Sequence, residues 1–186
     1  MPTPVGHALG GLAVYAATGD KPLKKDLTFA AVCVGVSLFP DLDFAIGPLT
    51  GRSYHHYFSH SLGFATLFGL GTYLIARASH RSKPLRDAGI LFAIYLSHIF
   101  LDLLAKDTFP PFGVQLFWPF SEAFYKSPIL IFDEVWRGTL GKLFGLHNWL
   151  ALAREAVILV PVGAVVWWWR NRSKHLDGHG DGVSSS

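Results

Sequence analysis

Tyr95-Leu96-Ser97-His98-Ile99-Phe100-Leu101-Asp102-Leu103-Leu104 is an apolar run that carries one histidine and one aspartate. His98 and Asp102 stand four apart, so on an α-helix both side chains leave the same face. An ionisable residue inside an apolar helix is costly, and two on one face need a shared partner. A metal ion meets that need, because imidazole nitrogen and carboxylate oxygen both ligate zinc-like cations. A His–Asp hydrogen bond packed between helices meets it too, and the pair alone favours that simpler reading. The decision turns on whether other stretches send ligands to the same place.

The surrounding composition is that of a membrane protein. Of 186 residues, 51% are hydrophobic and only 16% charged, against about 25% charged in a soluble domain. Mean hydropathy is +0.33. The length suits one domain. A net charge of +3 is too small for a nucleic-acid surface, so membrane lipids are the expected partners and no nucleic acid is. Cys33 is the sole cysteine, which rules out an intrachain disulfide and leaves any metal to His and carboxylates. The start, Met1 to His7, lacks the basic region of a signal peptide, so the first apolar run reads as a retained helix.

Five apolar segments are legible: Val5 to Thr18, Asp26 to Phe39, Ser61 to Ala76, Ala88 to Leu104, and Ala156 to Trp169. They predict an all-α polytopic membrane helical bundle of about five membrane segments, the first short enough to be partial or tilted. Gly6 and Gly10, four apart, allow close helix approach. Trp167-Trp168-Trp169-Arg170 reads as an aromatic anchor followed by basic residues. Between the fourth and fifth segments, Leu116 to Phe120 reads as headgroup-level chain and Ile129 to Leu146 as an interfacial amphipathic helix. Residues 1–170 are expected to form a single membrane-embedded domain and 171–186 a disordered tail.

Lys21, Lys24 and Lys25, then Arg77, Arg81, Lys83 and Arg86, then Arg170, Arg172 and Lys174 follow alternate ends of five passes. The positive-inside rule makes that side cytoplasmic, the C-terminus included. His7, Asp41, Asp43, His55, His56 and His60 fall on the opposite side. His98 lies past the midplane, about 18 Å along its helix from Arg86 at about 1.5 Å per residue. Each residue alone has an ordinary explanation, such as a helix cap for the Pro40-Asp41-Leu42-Asp43 stretch. Together they converge on one leaflet, facing the extracytoplasmic side of a bacterial-type inner membrane. Imidazoles and carboxylates suit zinc first, with manganese or iron as alternatives, and the set is large enough for one or two ions. A metal there could polarise a phosphoryl or carbonyl oxygen and acidify water. Asp41 or Asp43 could act as general base. The rival readings are a metal that only staples helices and an ion or proton transporter.

Five motifs in order carry a family resemblance: Gly6-His7, Pro40-Asp41-Leu42-Asp43, His55-His56-Tyr57-Phe58-Ser59-His60-Ser61, Ser97-His98 to Asp102, and Phe117-Trp118-Pro119. They resemble the YdjM-like family of inner-membrane-associated metal-dependent hydrolases, over residues 6 to about 121. In the third motif the family's Arg-Gly is His56-Tyr57 here and its Thr is Ser59. The resemblance extends to a distant kinship with zinc-dependent phospholipase C and the S1/P1 nucleases. It implies His60, His98 and Asp102 as core metal ligands, with His7 sharing a second ion and Asp41 or Asp43 as ligand or base. Motif register selects His55 and helical spacing to His60 selects His56; His55 is preferred. The activity so implied is hydrolysis of a phosphodiester or phospholipid headgroup at the outer leaflet.

Overall fold

The computed structural model describes residues 1–19, 26–51 and 54–177. Lys21, Lys24 and Lys25 of the first basic cluster lie outside them, as do residues 178–186 of the expected tail. In chain order the helices are α1 (Pro4–Thr18), α2 (Leu27–Leu38), α3 (Ile46–Thr50), α4 (Leu62–Ala78), α5 (Pro84–Leu103), α6 (Leu140–Leu143) and α7 (Leu146–Asp177). Two 3-10 turns, Pro40–Ala45 and Phe58–His60, lead into α3 and α4. Among the described residues there is no β-strand, only the isolated bridges Ala105–Phe132 and Val114–Tyr125.

Local chemistry sets the helix starts. The Thr3 side chain accepts from the Gly6 N–H at 3.0 Å with Pro4 in the first helical position, and Ser61 accepts from the Phe64 N–H at 3.0 Å. α2 stops where Pro40 begins the first 3-10 turn. α5 is the central helix, packed by α1, α2 and α4, with Ile94, Tyr95 and Ile99 almost completely buried. Gly11 is the closest approach. A Cβ there would stand 2.7 Å from Ser37 Cβ and 3.1 Å from Ile94 Cγ2, so only glycine lets α1 seat against α2 and α5.

All five apolar segments are helical, but the expectation of about five membrane passes is corrected. Only α5, with 20 residues, and the Leu140–Arg172 stretch that is mostly α7 are long and apolar enough to cross a bilayer. At about 1.5 Å per residue, the 15, 12 and 17 residues of α1, α2 and α4 reach roughly 22, 18 and 25 Å. A hydrocarbon core is about 30 Å thick. Only 17% of the α7 window is buried in the protein, so its apolar surface faces outward and wants lipid.

The interfacial helix expected over Ile129 to Leu146 is also corrected. Residues 129–139 are not helical, with the Lys106 N–H donating to the Phe132 carbonyl (2.9 Å) and the Ile131 N–H to the Leu104 carbonyl (2.8 Å). Gly138 at φ 116 then breaks the path before α6. Asn148 holds the segment down, accepting from Trp136 N–H at 2.8 Å and donating to the Trp136 carbonyl at 2.9 Å. α7 continues past residue 170 as helix to Asp177.

Candidate metal centre

Four helix ends meet at one end of the bundle. His7 lies in the first turn of α1, and Asp41 and Asp43 follow α2. His55, His56 and His60 precede α4, and His98 and Asp102 occupy the last two turns of α5. Because starts and ends alternate, the four helices must run in alternating directions. All seven residues expected in the site, and His56, come together, and the side chains of His7, His60, His98 and Asp102 are fully buried.

The tautomers follow from the partners. His98 Nδ1 lies 2.7 Å from the Ser37 carbonyl, which can only accept, so Nδ1 carries the proton and Nε2 a lone pair. Ser59 Oγ donates to Asp43 Oδ2 at 2.8 Å, and His60 Nδ1 lies 3.2 Å from the same oxygen. The carboxylate accepts from the His60 Nδ1–H, which in the neutral ring leaves His60 Nε2 with a lone pair as well. The two Nε2 atoms then face each other at 3.1 Å, acceptor to acceptor. Asp102 Oδ2 lies 3.1 Å from His98 Nε2 and 3.4 Å from His60 Nε2. Asp41 Oδ1 lies 3.6 and 3.7 Å from the same two atoms. His7, stacked on His98 with centroids 3.7 Å apart, brings Nε2 to 3.5 Å from Asp102 Oδ1.

Such a cluster of acceptors needs a positive charge. Burial disfavours a charge on His60, but the carboxylates of Asp102, Asp41 and Asp43 around it outweigh that cost and push its pKa well above the usual imidazole range, so without another cation the ring takes up a second proton. One proton does not satisfy the set. Among the described residues, both His7 ring nitrogens, Asp41 Oδ1 and both Asp102 oxygens are buried without a hydrogen-bond partner. The triads His7–His98–Asp102 and Asp41–His60–His98 each bring three ligand atoms close enough to hold a metal ion. The donor set, imidazole plus carboxylate with no thiolate, fits a borderline divalent cation.

His55 and His56 stand at the edge. His55 Nδ1 is 3.0 Å from Asp43 Oδ1, and His56 Nδ1 is 3.4 Å from Asp107 Oδ2. Each leaves Nε2 buried and unpartnered. Both belong to a third ligand group with His60, so the choice between them is not made by proximity. Burial pushes His55 down to about 4 against its Asp43 hydrogen bond, and burial lowers His56 as well, so both rings are neutral at neutral pH. Burial alone would raise Asp107, but hydrogen bonds from His56 and the Gly113 N–H outweigh it and bring it to about 2.

Several contributors have no signal in local sequence. The Tyr95 hydroxyl donates to the Ser59 carbonyl at 2.6 Å and pins the His55–His60 turn to α5. Gln115 and Leu116, just before the Phe117-Trp118-Pro119 motif, brace the same turn and the start of α4: Gln115 N–H donates to the His56 carbonyl at 2.9 Å, and Leu62 N–H to the Leu116 carbonyl at 2.9 Å. Glu155, buried in α7, accepts from Thr3 N–H at 2.7 Å and from the Thr3 hydroxyl. It anchors the start of α1 and with it His7. Asp107 and Arg137 belong to loops that reach the site only through the fold.

These features define an inner membrane helical protein with a buried His/Asp cluster that could hold a metal ion. The model of the YdjM inner membrane protein family matches residues 1–173, and the chain belongs to that family. It is similar to the inner membrane protein YbcI of Escherichia coli (strain K12), at 28% identity over 92% of this chain and 100% of that protein. No solved structure matches the chain.

Proposed function

We propose that this protein is a membrane-embedded, metal-dependent hydrolase, with zinc as the leading metal and a phosphodiester or phospholipid headgroup at the outer leaflet as substrate. The observation that carries the reading is the meeting of His60 Nε2 and His98 Nε2 at 3.1 Å among carboxylate oxygens that have no hydrogen-bond donor. His60, His98, Asp102, Asp41 and His7 would hold the ion, in one or two positions. When bound, the cation supplies Lewis acidity toward a phosphoryl oxygen and acidifies water. Asp43 is engaged by His55, Ser59 and His60 and serves to orient them, which leaves Asp41 as the carboxylate for ligation or proton transfer. Asp41 is also the most open of the central set, with 13% of its side chain exposed. The resemblance to phospholipase C and the S1/P1 nucleases that the motifs imply supports the substrate class by analogy.

A structural metal is the second reading, favoured by the closed surroundings of His7, His60, His98 and Asp102. Confinement of the buried His and Asp groups to one end of the bundle weighs against a proton relay across it.

The test is elemental analysis of the purified wild type, His60→Ala and Asp102→Ala, followed by hydrolysis of bis(p-nitrophenyl) phosphate and headgroup-labelled phospholipids. Roughly one or two divalent ions per chain are expected in the wild type and a clear loss in both variants. No bound transition metal in the wild type would sink the reading. Asp41→Asn separates the two roles: retained fold and metal with lost hydrolysis supports catalysis, whereas absence of hydrolysis in the metal-loaded wild type leaves the structural ion.

A further inference from the structure

Beside the metal centre lies a cavity of about 320 Å³, whose lining includes Phe44, His55, His56, Asp107, Glu134 and Arg137. Its polar features are specific. The Arg137 guanidinium carbon sits 4.4 Å above the centre of the Phe44 ring, and that ring stacks on His55 with centroids 3.8 Å apart. Phe44 therefore ties the arginine to the edge of the ligand cluster. His55 and His56 line the same cavity, and each has a buried, unpartnered Nε2.

Arg137 stands in the field of Asp41, Asp102, Asp107 and Glu134, yet among the described residues it makes no ion pair with any carboxylate. The two carboxylates that share its cavity are occupied. Glu134 accepts from the Thr108 N–H at 3.0 Å and the Thr108 hydroxyl at 2.6 Å. Asp107 accepts from the Gly113 N–H at 3.0 Å and the Phe109 N–H at 3.3 Å, and faces His56. A guanidinium seated over an aromatic ring and free of ion pairs keeps its hydrogen-bonding fork available, and that fork matches the oxygens of a phosphate.

We infer that Arg137, seated on Phe44, is the anion-binding residue of a substrate pocket in which a phosphoryl group lies between the guanidinium and the His55/His56 edge of the metal centre. The phosphoryl identity rests on the hydrolase reading; the anion subsite itself rests on the cavity and its unpaired arginine. The apolar walls supplied by Phe109, Pro110 and Pro111 suit the carbon substituent of a phosphoester.

Calorimetric titration of inorganic phosphate into the metal-loaded full chain in detergent tests this, comparing the wild type with Arg137→Ala and Arg137→Lys. Arg137 is a surface residue, so circular dichroism and metal content should be unchanged in both variants. The expected result is phosphate binding to the wild type, weakened about tenfold or more in Arg137→Ala and partly recovered in Arg137→Lys. With bis(p-nitrophenyl) phosphate, the Arg137→Ala defect should fall mainly on KM. Phosphate that binds Arg137→Ala as tightly as the wild type, or does not bind the wild type at all, overturns the inference. Acetate binding as tightly as phosphate overturns its phosphoryl part. Arginine-dependent phosphate binding without any hydrolysis would leave the subsite standing and remove the hydrolase reading.

Discussion

Asp43 is placed behind the imidazoles, where the role we propose for it is orienting them. One oxygen takes His55 Nδ1 at 3.0 Å; the other takes the Ser59 hydroxyl at 2.8 Å and His60 Nδ1 at 3.2 Å. It fixes which His60 nitrogen points inward, as a carboxylate behind a metal-ligating imidazole does. Asp43→Asn replaces one acceptor oxygen with a donor and leaves His60 free to turn or change tautomer. Metal affinity, measured by chelator competition, is expected to fall about 10- to 100-fold with the helical content intact. An unchanged affinity would remove Asp43 from this role. Sequence spacing treats Asp41 and Asp43 alike, because both flank Leu42 in one short stretch. Only the turn of the chain after α2 sends one to the centre and the other behind His60.

At the element scale, the attachment of α1 to α7 determines where His7 stands. Glu155 is 1% exposed within an apolar helix, and Thr3 is its partner across the sequence. Glu155→Ala leaves the Thr3 N–H buried without an acceptor and opens space between the helices. A loss of about 1–3 kcal/mol is expected from the unsatisfied group, seen as a lower Tm of the detergent-solubilised protein, together with weaker metal binding through His7. A Tm and metal affinity equal to the wild type would show that α1 is held by other contacts, such as the Gly11 approach to Ser37. The acidic partner was not legible beforehand, because Glu155 precedes the fifth apolar segment and resembles a surface residue there. Its depth is a property of the α1–α7 contact. The non-helical 129–139 stretch has the same origin: its mixed composition suits a surface helix locally, but bonds to the end of α5 and to Asn148 prevail.

For the whole molecule, the site end and the end bearing Arg77, Arg81, Lys83 and Arg86 are opposite. We propose that the site end faces the extracytoplasmic side, following the positive-inside rule. Because Cys33 is the sole cysteine and is buried, a Cys33→Ala background allows single reporters. In spheroplasts, a membrane-impermeant maleimide should label Leu49→Cys, at an 86% exposed position of α3 beside the site, and spare Ser82→Cys until lysis. The reverse pattern would invert the orientation and place the cavity in the cytoplasm.

The five apolar helices were legible in the sequence, because an apolar run is a property of neighbouring residues. So was the list of candidate ligands, since buried His and Asp in apolar surroundings are costly wherever they occur. The tertiary structure decided the number of helices that can span, because hydropathy marks a helix as apolar without giving it the length to cross a bilayer. It also decided the Nδ1 partners of His60 and His98, the supporting position of Asp43, and the cavity beneath Arg137. Those depend on loops from residues 40–60 and 105–137 meeting around α5, and no local pattern records that meeting. His98 and Asp102, ambiguous on their helix between a packed hydrogen bond and a ligand pair, acquire three further ligand-bearing segments only through that packing.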